Sequence, residues 1–157
     1  MSRTITPAPV RRNIEVNAAQ AKAFDVFTRK VSTWWPKSHH IGKVDITEVV
    51  IEPRAKGRWY ERGVDGSECE WGHVIAWNPP NSITLAWQLN DKWQFDPELI
   101  TEVEVRLVPL DAARTRVELE HRNLERFGDQ VEAVRQAIDS DNGWMAILRS
   151  FAEIAAK

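Results

Sequence analysis

The segment Trp144-Met-Ala-Ile-Leu-Arg-Ser-Phe-Ala-Glu-Ile154 decides the fold of this chain. Its large apolar residues recur at the three- and four-residue spacing of one helix face, which predicts an amphipathic helix at the end of the sequence. Such a helix needs an apolar surface to cover its buried face, and the strands before it offer one. The polar stretch 139–143 is expected to kink or divide the helical region that begins near Val131.

Upstream of that helix the sequence alternates like strands between short turns. Strands are predicted over residues 10–16, 46–52, 58–62, 67–77, 82–89, 99–108 and 115–123. A first amphipathic helix is predicted over residues 18–31, with Asn17 as its N-cap and Gln20 completing a capping box. Consecutive strands with short connections are typical of an antiparallel meander.

Alternation along the last three strands shows which side chains face inward. The charged residues of these strands share one face and the apolar ones the other, so the apolar face must be covered, most economically by the C-terminal helix. We therefore expect a helix packed on a curved sheet. The register stays open for residues 46–52, where both faces are apolar, and for residues 68–77, where a bulge at Gly72 would change which half faces inward.

Composition limits the classes of partner. The 157 residues carry 21 Lys and Arg against 23 Asp and Glu, a net charge of −2 without long runs of either sign, so nucleic acid is not an expected partner. No apolar stretch approaches the ~20 residues of a membrane span and no signal region opens the chain, which predicts a cytoplasmic protein without membrane insertion. Its one cysteine, Cys69, excludes an intramolecular disulfide. We expect one domain over residues 1–157.

Tryptophan is the unusual feature of the composition. Eight tryptophans accompany a single tyrosine, which is more large ring area than a chain of this size needs to close its core. About half of them are expected to fill the interior, and the rest to lie at a pocket mouth or on an exposed patch. They are Trp34, Trp35, Trp59, Trp71, Trp77, Trp87, Trp93 and Trp144.

Several short motifs together resemble a known family. They are Trp34-Trp-Pro36, Ile51-Glu-Pro-Arg-Ala-Lys-Gly-Arg-Trp-Tyr-Glu61, Asp65-Gly66, Trp71-Gly-His-Val74, Trp77-Asn-Pro-Pro80, Leu85-Ala-Trp87, Glu118-Leu-Glu-His121 and Gly143-Trp144 with Leu148 and Phe151. The set spans nearly the whole chain and resembles the Hsp90-ATPase-activator-homologue branch of the START/Bet v 1-like superfamily. One departure is Lys56, which stands where members commonly place the first glycine of a pair.

The resemblance implies an α+β helix-grip fold, in which a curved antiparallel sheet wraps around a long C-terminal α-helix and leaves a cavity between them. Members of the superfamily bind lipids, sterols, polyketides and other apolar molecules, and some branches catalyse cyclisation or hydrolysis. The leading expectation is therefore a small hydrophobic molecule, lipid, sterol-like or aromatic, bound in the cavity without catalysis or cofactor. The candidate ligand-binding residues are Trp35, Trp59, Glu61, Leu85, Trp87, Val103, Val105, Val117, Leu119, His121, Trp144, Leu148 and Phe151.

Two polar residues in this set have competing interpretations. His121 lies on the apolar face of its strand, where an imidazole orients a ligand or moves a proton, or else is simply buried and hydrogen-bonded to backbone. Glu61 either lines the cavity or is solvated or paired with Arg58 or Arg54. An enzyme using His121 as acid or base would require an acidic neighbour or a ligand atom within about 3 Å.

Other functions have weaker support. A chaperone-modulating interaction module, as in the eukaryotic namesake of the family, would need an exposed apolar or charged patch. His39, His40 and His73 do not have the spacing of metal ligands, so no metal is expected. The sequence is compatible with a monomer or a homodimer.

Overall fold

A computed structural model describes residues 7–157 of the chain. Seven strands form one antiparallel sheet in the spatial order β1-β7-β6-β5-β4-β3-β2. The meander prediction is confirmed, because each strand from β2 to β7 pairs with the next along the chain, and β1 pairs with β7. The strands are β1 Val10–Val16, β2 Ile46–Ile51, β3 Arg58–Gly63, β4 Glu68–Asn78, β5 Ser82–Trp87, β6 Thr101–Asp111 and β7 Arg114–Arg122.

Three α-helices accompany the sheet: α1 Gln20–Thr28, α2 Val131–Ile138 and α3 Trp144–Ala155. Short 3₁₀ turns occupy Val31–Thr33 and Leu124–Gln130. As expected, residues 139–143 divide the C-terminal helical region, so that α2 and α3 are separate helices.

The predicted capping box before α1 is wrong. The N-cap residue is Ala19, and its side chain makes no capping hydrogen bond. The Gln20 amide instead reaches across to the sheet and donates to the Leu107 carbonyl at 2.9 Å. A side chain engaged in a tertiary contact of this kind is not free to return to the helix start.

The helix-grip arrangement is confirmed, and α3 supplies its centre. Leu148 and Phe151 are fully buried on the inner face of α3. The Phe151 ring packs edge to face against Phe27 of α1 at 5.1 Å, and at the start of α3 the Trp144 ring packs on Trp87 of β5 at 5.5 Å. Each large side chain buried in this way contributes about 1.5–3 kcal/mol.

Bulges explain why two strands resisted a sequence-based register. Trp71 is the extra residue of β4 opposite β3, and Ile75 is the extra residue opposite β5. The side chains of β4 that pack on the core are consequently Trp71, Val74 and Trp77, three residues apart rather than two. A similar irregularity between Ile46 and Glu48 shifts β2.

The outer face of the sheet carries paired charges. Arg122 of β7 contacts Glu102 and Glu104 of β6 and Glu120 of its own strand. Arg58 of β3 hydrogen-bonds Glu70 in the same way. Exposed pairs of this type contribute about 0–1 kcal/mol each, so they add little to the stability of the fold. Their charges keep this face of the sheet hydrated.

A substitution at Gly72 tests how closely β4 approaches β5. A Cβ atom on Gly72 would lie 1.7 Å from the Ala86 carbonyl oxygen on β5. Gly72→Ala is therefore expected to lower the free energy of unfolding by at least about 2 kcal/mol in urea denaturation. Val64→Ala, at a side chain that is 62% exposed, should change it by less than about 0.5 kcal/mol. Equal stability of Gly72→Ala and wild type would show that the strands do not approach this closely.

Candidate functional site

A cavity of about 450 Å³ lies beside the first turn of α3. Five of the eight tryptophans line it: Trp35, Trp71, Trp87, Trp93 and Trp144. This volume falls within the ~300–1,000 Å³ of small-molecule sites. The polar part of the lining comes from two loops, residues 38–41 and 140–143.

The five rings form a continuous chain of contacts around the cavity. In order they are Trp71, Trp35, Trp144, Trp87 and Trp93, with centroid separations of 5.0, 6.5, 5.5 and 6.2 Å. The interplanar angles lie between 48° and 84°, so each ring meets its neighbour tilted or edge to face. Such offset and T-shaped contacts are the favoured geometry of aromatic pairs.

Glu61 of β3 holds one wall of the cavity in place. It is 2% exposed, and its Oε1 accepts hydrogen bonds from Trp71 Nε1 at 2.9 Å and from the backbone N–H of residue 41 at 2.6 Å. Its Oε2 accepts from the N–H of residue 42 at 3.1 Å. The predicted pairing with Arg58 or Arg54 is wrong, because those guanidinium groups bond other glutamates.

Trp35 and Trp87 direct their indole N–H groups into the protein. Trp35 Nε1 donates to the His39 carbonyl at 2.8 Å, within the loop that borders the cavity. Trp87 Nε1 donates to the Leu89 carbonyl at 3.2 Å. Both rings therefore have their single hydrogen-bond donor satisfied by backbone.

His121 is sealed beneath Trp144. The imidazole is fully buried, and its Nδ1 accepts a hydrogen bond from Trp144 Nε1 at 3.2 Å. Because an indole only donates, the proton lies on His121 Nε2, which donates to Thr101 Oγ1 at 2.8 Å. The Thr101 hydroxyl in turn donates to the Trp87 carbonyl at 3.1 Å. The expected backbone partner is thus replaced by two side chains.

Burial keeps this imidazole neutral. Desolvation lowers the pKa of His121 to about 3, far below the ordinary value of 6.5. Both ring nitrogens are already bonded, and no carboxylate hydrogen-bonds His121 among the residues described. This environment argues against proton transfer by His121 near neutral pH.

Trp93 is the exposed member of the cavity. Its side chain is 42% exposed, and its backbone adopts the left-handed region with φ of 58°. The Asn90 carboxamide oxygen accepts hydrogen bonds from the N–H groups of Lys92 and Gln94, which fixes the tight loop that presents the ring. Within residues 7–157 no acceptor bonds the Trp93 indole N–H.

The other histidines have separate partners. His39 Nε2 donates to the Asn142 carbonyl at 2.8 Å and so links the two loops that border the cavity. His40 Nδ1 donates to the carbonyl of Gly42, and His73 bonds Gln88. No group of three or more His, Cys, Asp or Glu residues in the described part of the chain is arranged to hold a metal ion.

The structure brings only part of the predicted ligand-binding set to the cavity. Trp35, Trp87 and Trp144 line it. The remaining predicted residues are buried in the core but outside the lining, and a direct ligand contact by them stays a prediction. These residues are Trp59, Glu61, Leu85, Val103, Val105, Val117, Leu119, His121, Leu148 and Phe151.

Trp71 and Trp93 line the cavity but were absent from the candidate ligand-binding set, although both belong to the eight tryptophans considered for a pocket. The sequence left the facing of Trp71 open because the bulge in β4 displaces it. Trp93 lies in an irregular loop, where alternation carries no information about direction. The informative signal at Trp93 was the local sequence Asn90-Asp-Lys-Trp-Gln94, since asparagine at such a position commonly nucleates a turn.

A curved sheet that grips a C-terminal helix beside an apolar cavity defines the helix-grip class of proteins. Residues 17–156 match the family described as Activator of Hsp90 ATPase homolog 1-like protein, and the chain belongs to this family. No curated protein sequence matches the chain significantly.

Two of the similar solved structures are more than 30% identical in sequence to the chain. An anthrahydroquino-γ-pyrone synthase is 35% identical, with a TM-score of 0.67 over 95% of this chain and 97% of the synthase. CalC, a self-sacrificing resistance protein from Micromonospora echinospora, is 31% identical, with a TM-score of 0.71 over 94% of both chains. A protein from Mesorhizobium loti, 15% identical with a TM-score of 0.63 over 92% of this chain and 95% of its own, shares the fold.

The buried imidazole predicts a specific pH dependence of stability. In the unfolded chain His121 has a pKa near 6.5, whereas in the folded chain its pKa is about 3. Above pH 6.5 the imidazole is neutral in both states and does not affect the free energy of unfolding. As the pH drops from 6.5 toward 3, only the unfolded chain binds the proton, so the free energy of unfolding falls. Between pH 7 and pH 5 wild type should lose about 2 kcal/mol more unfolding free energy than His121→Gln, measured by urea denaturation. An equal loss in both proteins would contradict a neutral buried His121.

Glu61 is expected to fasten the loop at residues 41–42. In Glu61→Gln the amide NH₂ faces backbone N–H donors, so at least one donor is left unsatisfied, at a cost of about 1–3 kcal/mol. Amide hydrogen exchange at residues 41 and 42 should accelerate, while Glu153→Gln, at an exposed position of α3, should leave it unchanged. Unaltered exchange in Glu61→Gln would refute this role.

Proposed function

We propose that this protein binds a small aromatic molecule in the tryptophan-lined cavity and does not transform it. The observation that carries the proposal is the chain of five indole rings around an unfilled space of about 450 Å³. Family membership supports it in general terms, because the fold is one that leaves a cavity between sheet and helix.

Ring walls favour a ring-shaped ligand. An aromatic contact contributes about 0.5–1.5 kcal/mol beyond the burial of its area, and several indoles border the same space. A flexible alkyl chain would gain the area term alone and would also lose conformational entropy on binding. Of the ligand classes implied by the family resemblance, the aromatic one is therefore favoured over a lipid.

The synthase and CalC, both more than 30% identical to the chain, are consistent with this class of ligand. The name of the synthase specifies an anthrahydroquino-γ-pyrone, which is a fused aromatic ring system. CalC is described as a resistance protein. A cavity that binds aromatic rings is compatible with a synthase of this kind and with a resistance protein. We propose such a cavity for this chain.

The chemistry of the lining supports binding over catalysis. Among the described residues the lining contains no Asp, Glu, Lys, Arg or Cys, and its titratable side chains are His39 and His40. His121, the acid or base considered from the sequence, lies behind Trp144 with both nitrogens bonded. General acid–base catalysis needs a titratable group within hydrogen-bond reach of the reacting atoms, and in the described lining only His39 and His40, both in the loop at the rim, are such groups.

A chaperone partner stays a prediction from the sequence. Large apolar side chains exposed in residues 7–157 are Val64, Ile75, Trp93 and Phe95, and Trp93 already belongs to the cavity. No helix in this part of the chain is long and apolar enough to cross a bilayer. The internal cavity is the stronger basis for a function.

Calorimetric titration with 2-naphthol and with its saturated analogue decahydro-2-naphthol tests the proposal. We expect 2-naphthol to bind with quenching of tryptophan fluorescence and the saturated analogue to bind more weakly. Trp93→Leu should weaken 2-naphthol binding by about fivefold, since one ring contact is worth about 1 kcal/mol.

Trp77→Leu is the matched control, because Trp77 is a partly exposed tryptophan on β4 outside the cavity. Its affinity for 2-naphthol should equal that of wild type. Absence of binding, or an equal loss of affinity in both variants, would refute the proposal.

A further inference from the structure

We propose that the cavity accepts aromatic compounds whose polar groups lie at one end only, with the ring system inserted first and the polar end left at the rim. This inference rests on the proposed function and specifies its ligand class. It follows from the distribution of hydrogen-bonding groups. The indole donors of the inner wall already have protein partners, whereas side-chain groups at the rim are still available to a ligand.

The four indoles of the inner wall have no spare polar group to offer. Its indoles are those of Trp35, Trp71, Trp87 and Trp144, each 6% exposed or less. An indole has one donor and no acceptor. All four donors are already bonded, to two backbone carbonyls, the Glu61 carboxylate and the His121 imidazole.

The acceptors behind these indoles are buried and already bonded. Both Glu61 oxygens receive hydrogen bonds from backbone or indole N–H groups. The His121 nitrogens are shared between Trp144 and Thr101. A ligand hydroxyl pushed against this wall would therefore meet ring carbon and would lose its hydrogen bonds to water without replacement.

The rim has the opposite character. In the part of the chain that the structure describes, three side-chain polar groups of the lining have no protein partner: His40 Nε2, the Asn142 side-chain amide and the Trp93 indole N–H. Asn142 and Trp93 are exposed. They offer both donors and acceptors beside bulk water, so a hydroxyl, carbonyl or glycosidic oxygen placed here keeps its hydrogen bonds.

These two environments define a selection rule for the ligand. A fused-ring compound with oxygen at one end satisfies both environments. The same ring with oxygen at both ends must bury one of them unpartnered, which is expected to weaken binding by about tenfold or more. The cavity would thus discriminate between ligands of nearly equal size and apolar area by the position of their substituents.

The experiment compares 2-naphthol with 2,6-dihydroxynaphthalene on the wild-type protein by isothermal titration calorimetry. The two probes share a ring system and differ by one hydroxyl at the far end of the long axis. We expect 2-naphthol to bind at least about tenfold more tightly. Equal affinities would overturn the inference and leave the proposed function standing, whereas binding of neither probe would refute both.

A variant that frees an acceptor on the inner wall provides the converse test. Trp144→Phe keeps a ring at this position and removes the N–H that occupies His121 Nδ1. The second hydroxyl of 2,6-dihydroxynaphthalene then gains a partner, so the ratio of the two affinities should narrow by at least about threefold.

Trp77→Phe, outside the cavity, should keep the wild-type ratio. An unchanged ratio in folded Trp144→Phe, verified by circular dichroism, would contradict the inference. The comparison of the two probes on wild type does not depend on how well either variant folds.

Discussion

The hydrogen bond from Trp144 to His121 joins the C-terminal helix to the sheet at the wall of the cavity. Trp144 is the first residue of α3 and His121 lies near the end of β7. The bond continues through Thr101 to the Trp87 carbonyl, so that one chain of donors crosses from helix to β7, β6 and β5. Since every group in it is buried and satisfied, breaking one link would leave a polar atom stranded in the core.

This network sets where the helix begins relative to the strands. The geometry of the indole rings keeps the space between the helix and the sheet open. Aliphatic side chains interdigitate and close the space between a helix and a sheet. The indoles around the cavity instead meet their neighbours at 48° or more, and each is held by its own N–H donor or by a fixed loop. Rigid rings that are anchored separately cannot collapse onto one another, so the space between them stays open.

Much of the fold could be predicted from the sequence, because its strands alternate and its last helix is strongly amphipathic. The same alternation placed His121 on the inner face, where the structure has it. It failed at Trp71, since a bulge changes the facing of every later residue in the strand. It also failed at Glu61, whose partners are backbone N–H groups of a distant loop and an indole, and therefore leave no pattern of charges along the chain.

The hydrogen bonds from the loop backbone to Glu61 affect which positions of the binding site can change during evolution. The carboxylate bonds the main chain at residues 41 and 42 and takes no side chain from that loop. The side chains of Ser38 and His40 therefore take no part in this attachment and are free to change in kind, whereas His39 also ties the loop to the Asn142 carbonyl. Substitutions at these positions would change the polar groups at the entrance of the cavity and leave its aromatic interior intact. Proteins with the same fold could therefore differ in ligand specificity through this loop alone.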